Sequence, residues 1–333
     1  MERPRVLVTG GAGFIGSALV KRLVAEGMEV RVIDNLWRGS LDNLADERGR
    51  PVIDLEHRFH LADLTEYAKC LELIRDADLV YHLADVVAGI DFVFSHEHLV
   101  FRHNVVINSN VLAAVQRNGI PQYVYVGTAC SFPKHLQDQP GIVSLREEQT
   151  YPAAPESSYG WSKLMGEYEA ELAARDGEVS VGVLRLHNVY GPGAAFEPGR
   201  SQVIPSLIRK AIRWPEEPFI VWGDGNQYRD FVYVDDIVDA LLRVTHRGMG
   251  EGVIQIGSEQ ATTVRELAEA IVQVGGKGIE PEFDASKPSG DRGRIACCDR
   301  ARAILDWRPQ VDLLEGLRRS YAWTEKAMAR RGR

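Results

Sequence analysis

The sequence predicts an α/β fold in which a doubly wound parallel sheet is followed by a smaller mixed α/β C-terminal lobe. Three observations carry the prediction. Short β-rich runs alternate with helical patterns up to residue 190, and the short links between them imply a parallel sheet covered on both faces. A glycine loop joins the first strand to the first helix. Beyond Tyr190-Gly191-Pro192-Gly193 the alternation breaks into a stretch punctuated by Pro and Gly, so a different unit begins there.

Arg5-Val6-Leu7-Val8-Thr9 is the first strand. Residues 14–26 form a helix with Leu19, Leu23 and Val24 on one apolar face. Residues 29–34 make the second strand and residues 57–61 the third, which ends at Asp63. The fourth, fifth and sixth strands fall at 78–83, 122–127 and 179–186. Helices at 65–75, 98–118 and 158–175 separate them, the second stopped by Gly119 and Pro121. Residues 191–228 hold one helix, around 203–213. Strand–helix pairing returns over 231–244 and 253–256. Thr263 and Glu266 have capping-box spacing for a helix over 263–274. Residues 275–298 read as loop, and 314–329 as a closing amphipathic helix. The expected division is a dinucleotide-binding domain of residues 1–190 plus about 229–257, and a lobe of about 191–228 plus 258–333. A ligand cleft is expected between them.

Composition sets limits on function. A hydrophobic content of 45% and a charged content of 26% suit a soluble globular protein. A net charge of −8 argues against nucleic acid as a partner. No apolar run reaches the roughly 18–20 residues of a membrane helix, so no membrane association is expected. Met1 leads almost directly into a strand, and no signal peptide is expected. Cys70, Cys130, Cys297 and Cys298 lack zinc-site spacing, so no metal is expected, and the vicinal pair reads as structural. The cytoplasm is the expected compartment.

Thr9-Gly10-Gly11-Ala12-Gly13-Phe14-Ile15-Gly16 places glycines where a dinucleotide requires them. Gly10 allows the tight turn, Gly13 lets backbone approach a pyrophosphate, and Gly16 allows close helix–sheet packing. Phe14 and Ile15 open the helix whose N-terminus meets the phosphate charge. Asp34 ends the second strand, where a carboxylate accepts from both ribose hydroxyls and repels a 2′-phosphate. The cofactor read is therefore NAD rather than NADP, with Asn35 beside Asp34 and Arg38 as the one nearby feature that opposes it. Asp63 and Leu64 follow the third strand, where the acid either accepts from the adenine amino group or caps a loop. Leu83 and Ala84 offer backbone to the cofactor, while His82 reads as packing.

Tyr159 and Lys163 stand four apart at the start of a helix and share a face. A nearby ammonium and a positive nicotinamide ring are expected to stabilise the tyrosinate and lower its pKa. Tyr159 then takes a proton from a sugar hydroxyl, Lys163 holds the nicotinamide ribose, and Thr128 hydrogen-bonds the reacting oxygen.

With these residues in place, the chain resembles the extended short-chain dehydrogenase/reductase family, the nucleotide-sugar epimerases and dehydratases, which have a Rossmann-type sheet. Besides the glycine loop, the markers are Asp34-Asn35-Leu36, His82-Leu83-Ala84, Tyr159-x-x-x-Lys163, Leu186-His187-Asn188-Val189-Tyr190-Gly191-Pro192, and residues 222–236. The resemblance implies an NAD-dependent enzyme acting on a nucleotide-diphosphate sugar. It places Asn188 and Arg229 against the diphosphate, a task suited to a carboxamide and a guanidinium. It also implies a homodimer through four helices, for which Val100, Val105, Val106, Leu112 and Val115 either supply the apolar face or face the sheet.

Within the family the chain looks most like the GDP-mannose 3,5-epimerase branch. Ala88-Gly89-Ile90-Asp91-Phe92, Ala129-Cys130-Ser131-Phe132-Pro133, Gly199-Arg200 and Ser289-Gly290-Asp291-Arg292-Gly293-Arg294 carry that likeness. It brings Gly89 and Gln202 to the substrate, and makes Lys210 and Arg292 either phosphate contacts or surface charges. It also makes Cys130 a base beside a sugar ketone, since nearby positive charge lowers a thiol's pKa. The branch carries Lys or His where this chain has Gln202, and a carboxamide exchanges no protons near neutral pH. Lys134, His135, His187 or water are the possible substitutes. Two enzyme readings stay open. One is 3- and/or 5-epimerisation of a GDP-sugar through a 4-ketosugar. The other is C4 epimerisation of a UDP- or GDP-sugar with Cys130 only lining the pocket. Less favoured are a 4,6-dehydratase, since Ala129-Cys130 stands where the resembling dehydratases carry an Asp-Glu pair, and a non-catalytic nucleotide-binding member of the family.

Overall fold

In the computed structural model, Val6 and Val8 of the first strand face one apolar core while Leu7 faces another. That alternation is the two-sided burial expected of a strand inside a parallel sheet. The structure describes residues 3–87, 89–138, 141–287 and 292–331. Ala88 and residues 289–291, which carry part of the family resemblance, lie outside the described residues.

Strand β1 (Arg5–Thr9) runs through the glycine loop into helix α1 (Phe14–Ala25). There follow β2 (Glu29–Asp34), β3 (Phe59–Leu61), α2 (Tyr67–Leu73), β4 (Leu79–His82), α3 (Ile90–Ser95), α4 (Glu97–Arg117) and β5 (Gln122–Thr128). Next come α5 (Lys134–Gln137), β6 (Ser144–Leu145), α6 (Ser158–Asp176), β7 (Ser180–Leu186) and β8 (Asn188–Tyr190). The remainder holds α7 (Val203–Arg213), β9 (Ile220–Trp222), β10 (Tyr228–Arg229), β11 (Phe231–Tyr233), α8 (Val234–Arg247) and β12 (Val253–Ile256). It ends with β13 (Thr262–Thr263), α9 (Val264–Gly275), β14 (Glu282–Asp284), β15 (Gly293–Ala296), α10 (Asp299–Leu305) and α11 (Leu313–Arg331).

Seven parallel strands form the main sheet in the order β12-β7-β5-β4-β1-β2-β3. The winding reverses at β1, between β2 and β4, and a crevice for ligand opens beyond the carboxyl ends of strands at such a point. Helices α1, α8 and α10 cover one face, and α2, α4 and α6 the other. The lobe core gathers Ile204, Leu207 and Ile208 of α7 with Leu267 and Ile271 of α9 and Leu317 of α11.

The expected Rossmann-type sheet and mixed lobe are both present. Residues 275–298, expected as loop, contain β14 and β15. These strands are three and four residues long and exist by pairing with the distant β9, β10 and β6, so no local period announces them. Ala296, Cys298, Ala301, Leu305 and Trp307 fall within the expected lobe by position but are buried in the main-sheet core. They cover α8, where Trp307 Nε1 donates to the Asp236 carbonyl at 3.0 Å.

Candidate active site

The cavity between the sheet's carboxyl edge and the lobe has a volume of about 760 Å³. Gly10, Gly13, Phe14, Ile15, Gly16, Asp34, Asn35, Asp63, Leu64, Leu83 and Ala84 line it from the ends of β1 to β4. Thr128, Cys130, Tyr159 and Lys163 line it from the end of β5 and the start of α6, and Gly89, Asn188, Gln202, Lys210 and Arg229 also line it.

At Gly10 the backbone has φ +69°, and a Cβ there would sit 2.7 Å from the Ala84 amide nitrogen. A side chain would therefore force β1 and β4 apart. Gly16 acts differently from expectation: its Cβ would meet the Gly10 carbonyl oxygen at 2.2 Å, so it packs helix onto loop rather than onto sheet. Gly13 meets only the Gly10 carbonyl. Helix α1 starts with no side-chain cap and no acid in its first turn. Its first amides and dipole thus fit a diphosphate. Asp34 accepts from the Ala12 amide at 3.0 Å and the Leu36 amide at 2.8 Å. Burial pushes its carboxyl up, and these amide bonds oppose that shift. Arg38 is turned away from a free-phosphate role, because its guanidinium donates to the Val87 and Arg200 carbonyls at 3.0 and 3.1 Å. The Asp63 carboxylate accepts from the Thr65 amide and hydroxyl, at 2.9 and 2.8 Å. The residues fit NAD.

His82 does more than fill space. Thr9 Oγ1 accepts from the Leu83 and Ala84 amides at 3.2 Å each, so its proton goes to His82 Nδ1, 2.7 Å away. The Nε2–H of His82 then donates to Asn108 Oδ1 at 3.0 Å. The Asn108 amide donates to the Tyr125 hydroxyl at 3.1 Å, which donates to the Lys163 carbonyl at 3.2 Å. This tautomer is the one that satisfies every partner. Burial holds His82 neutral, its pKa down to about 3.

The helix that carries Tyr159 and the turn that carries Cys130 pack together because Gly160 has no side chain. A Cβ at Gly160 would lie 2.2 Å from the Cys130 carbonyl oxygen, so the start of α6 rests directly on the 129–131 turn. Ser157 caps that helix by accepting from the Gly160 amide at 3.1 Å. Thr128 ends β5 and accepts from the Cys130 amide at 3.3 Å. Lys163 Nζ lies 3.3 Å from Asp85 Oδ2, with both side chains buried, and 4.7 Å from the Tyr125 ring centroid.

The Tyr159 hydroxyl departs from the sequence expectation. It is pushed well above the ordinary tyrosine value, by desolvation first and then by the Asp85 carboxylate and Cys130. Sequence reasoning missed Asp85, which follows His82-Leu83-Ala84 directly. It also missed Arg294, whose Nη2 donates to Cys130 Sγ at 3.5 Å. Arg292, the expected phosphate contact, is exposed in the loop before β15 and does not line the cavity. The buried Arg294, inside the strand, lines it instead.

Facing the lobe, the Asn188 amide of β8 donates to the Asp230 carbonyl at 3.0 Å, and Arg229 Nη1 of β10 to the Tyr228 carbonyl at 2.8 Å. Lys210 Nζ donates to the Ile220 carbonyl at 2.5 Å. Gln202 is the exposed N-cap residue just before α7. Lys134 and His135 are exposed and do not line the cavity, and Lys134 pairs with Glu156 at 2.9 Å. His187 lines it, but burial lowers its pKa, and its Nε2 donates to Gln255 Oε1 at 3.1 Å. Of the apolar residues considered for a dimer face, Val100, Leu112 and Val115 are buried, the last two in the core under the sheet. Met165, Tyr168 and Leu172 of α6 are exposed instead.

A sequence profile of the NAD dependent epimerase/dehydratase family matches residues 6–257. The chain is 32% identical over 325 residues to GDP-mannose 3,5-epimerase 1 of Oryza sativa subsp. indica, covering 98% of this chain and 82% of the relative. Among solved structures it resembles the Thermotoga maritima UDP-glucose 4-epimerase with UDP-glucose, at TM-score 0.85 and 28% identity over 97% of this chain and 99% of that one. The Thermus thermophilus UDP-glucose 4-epimerase complex with NAD gives TM-score 0.83 and 27% identity over 97% of this chain and 99% of that one. The glycine loop, Asp34 and the Tyr159–Lys163 pair thus stand in a chain that belongs to the NAD-dependent epimerase/dehydratase family, NAD-using enzymes of nucleotide-sugar chemistry.

Proposed function

We propose that this enzyme epimerises a nucleotide-diphosphate sugar, favouring a GDP-sugar, at C3, C5 or both, through a transient 4-ketosugar. The observation that carries the reading is the contact of Cys130 with both the Tyr159 helix and the Arg294 guanidinium inside one cavity. NAD, when bound, supplies the hydride acceptor for C4 of the sugar. Tyr159 takes the C4 hydroxyl proton, and Thr128 donates to the same oxygen. Lys163 holds the nicotinamide ribose. A ketone at C4 acidifies the hydrogens on C3 and C5. Cys130, with the Arg294 guanidinium 3.5 Å from its sulfur, removes one of them as thiolate. Water returns a proton on the opposite face, since the Gln202 carboxamide exchanges none, and the C4 ketone is then reduced back by the hydride that left it, with Tyr159 returning the proton to its oxygen. Asn188, Arg229 and Lys210 hold the diphosphate, with Gly89 and Gln202 along the sugar.

A second reading is C4 epimerisation of a UDP- or GDP-sugar, with Cys130 only lining the pocket. It is favoured by Gln202, which offers no second proton donor, and by the likeness to UDP-glucose 4-epimerases. The deciding experiment incubates the purified protein with GDP-mannose and, separately, UDP-glucose. Inversion at C3 or C5 supports the first reading, and a C4 epimer alone sinks it.

The reading makes residues 1–190 plus about 229–257, extended by the segment around Trp307, the NAD-binding domain, and the rest a lobe that closes over the nucleotide sugar, whose reacting end meets residues of both. It also makes the protein a cytoplasmic homodimer. The four cysteines are all free, as suits a reducing compartment. Exposed Met165, Tyr168 and Leu172 on α6 supply an apolar interface. A monomer by light scattering would rule the dimer out.

A further inference from the structure

We propose that Asp85 is a positioning residue of the oxidation site, the counter-ion that anchors Lys163 and receives the hydrogen bond of the Tyr159 hydroxyl. The inference rests on the reading of Tyr159 as the base.

The loop that carries Asp85 is pinned on both sides. The Ala84 amide donates to Thr9 Oγ1 at 3.2 Å. The Val86 amide donates to Asn104 Oδ1 at 2.7 Å, and Asn104 Nδ2 returns a bond to the Val86 carbonyl at 3.2 Å. Arg38 holds the Val87 carbonyl at 3.0 Å. The side chain held by these bonds is a carboxylate with 7% of its surface exposed.

Burying an ammonium costs several kcal/mol unless an anion accompanies it. Lys163 is 4% exposed, and Asp85 Oδ2 is its ion-pair partner. The second oxygen, Asp85 Oδ1, is buried with no hydrogen-bond partner at ordinary distance. Such an atom is costly to leave unmade. The group beside it with a proton to give is the Tyr159 hydroxyl, which lines the same cavity and which the Asp85 carboxylate holds in its protonated form. One carboxylate therefore serves both members of the pair, one oxygen each.

The consequence is a pH effect with a definite sign. The groups acting on Tyr159 are Asp85 from the loop after β4, Cys130 from the turn after β5, Arg38 from the segment after β2 and Tyr125 from β5. Lys163 lies one turn on along α6. Asp85 and Cys130 disfavour the tyrosinate, and Arg38 favours it. Removing the Asp85 charge makes Tyr159 easier to deprotonate, so the base form is reached at lower pH.

The test follows single-turnover reduction of bound NAD by a nucleotide sugar that the wild type turns over, by nicotinamide absorbance across neutral and alkaline pH. Asp85→Asn should move the midpoint to lower pH by about one unit or more. Asp85→Glu, which keeps the charge, should leave it near the wild-type position. A folded Asp85→Asn protein with the wild-type midpoint overturns the proposal, because a merely structural residue would change the melting temperature and not the midpoint. A second measurement needs no turnover and no Asp85 variant. Tyrosinate absorbance of NAD-free wild type, compared with Tyr159→Phe, should show no Tyr159 signal below about pH 10. A Tyr159-dependent signal near neutral pH overturns the proposal. If no nucleotide sugar reduces the NAD of the wild type, the oxidation reading itself has failed, and this absorbance result still decides on Asp85.

Discussion

The sulfur of Cys130 lies 3.5 Å from Nη2 of Arg294, across 164 positions of sequence. The guanidinium is itself held, since its Nη1 donates to Gln137 Oε1. Gln137 cannot flip freely, because its Nε2 donates to the Phe132 and Pro133 carbonyls at 2.9 and 3.3 Å. The turn that carries the thiol thus also fixes the cation beside it. Arg294→Gln should slow deuterium exchange into the sugar by about tenfold or more, the scale of a lost bond to a charged group. Reduction of bound NAD should persist. Exchange at the wild-type rate, read by mass spectrometry, would remove Arg294 from the proton step.

Tyr159 and Lys163 enter the cavity from the start of α6, while the residues that fit NAD come mainly from the ends of β1 to β4. Tyr159→Phe should therefore lower turnover by about a hundredfold or more while NAD stays bound. The check is turnover together with the cofactor content of the purified variant. Undiminished activity would refute the oxidation step as assigned.

His82 predicts an acid limit on stability. Its pKa is held down to about 3 in the fold, against 6.5 ordinarily. The unfolded chain therefore takes up a proton near 6.5 that the folded chain refuses until near 3. The stability linked to His82 is complete above the upper value and is lost as pH falls toward the lower one. The slope is about 1.4 kcal/mol per pH unit for this one group. Urea unfolding between mildly acid and neutral pH should show it on top of other groups' contributions, and His82→Phe should flatten the curve by that amount. An unchanged slope in the variant would mean that His82 is charged in the fold.

Much of the site could be read from the sequence because it depends on local pattern. Glycines 10, 13 and 16, Asp34, and the pair Tyr159 and Lys163 each follow from a spacing inside one strand, loop or helix turn. Asp85 and Arg294 depend instead on contacts made only after folding. Asp85 becomes the partner of Lys163 when β4 and α6 are brought together, and Arg294 reaches Cys130 because β15 pairs with β10 and β6. No period within one chain segment signals either. Arg292 and Arg294 are two residues apart in the same basic run, and only the start of β15 at Gly293 separates the exposed one from the buried one. Asp230 and Asp236 stand in the stretch that marks the family, yet both tie the chain together. Asp230 accepts from the Ser258, Glu259 and Ala296 amides, and Asp236 from those of Gln310 and Val311.

The most direct test of proton chemistry at the ketosugar is turnover of GDP-mannose by the wild-type protein in deuterated water, with product positions assigned by NMR. The account predicts deuterium at C3 or C5, lost in Cys130→Ala while transient NAD reduction survives. A C4 epimer that carries no deuterium would contradict it.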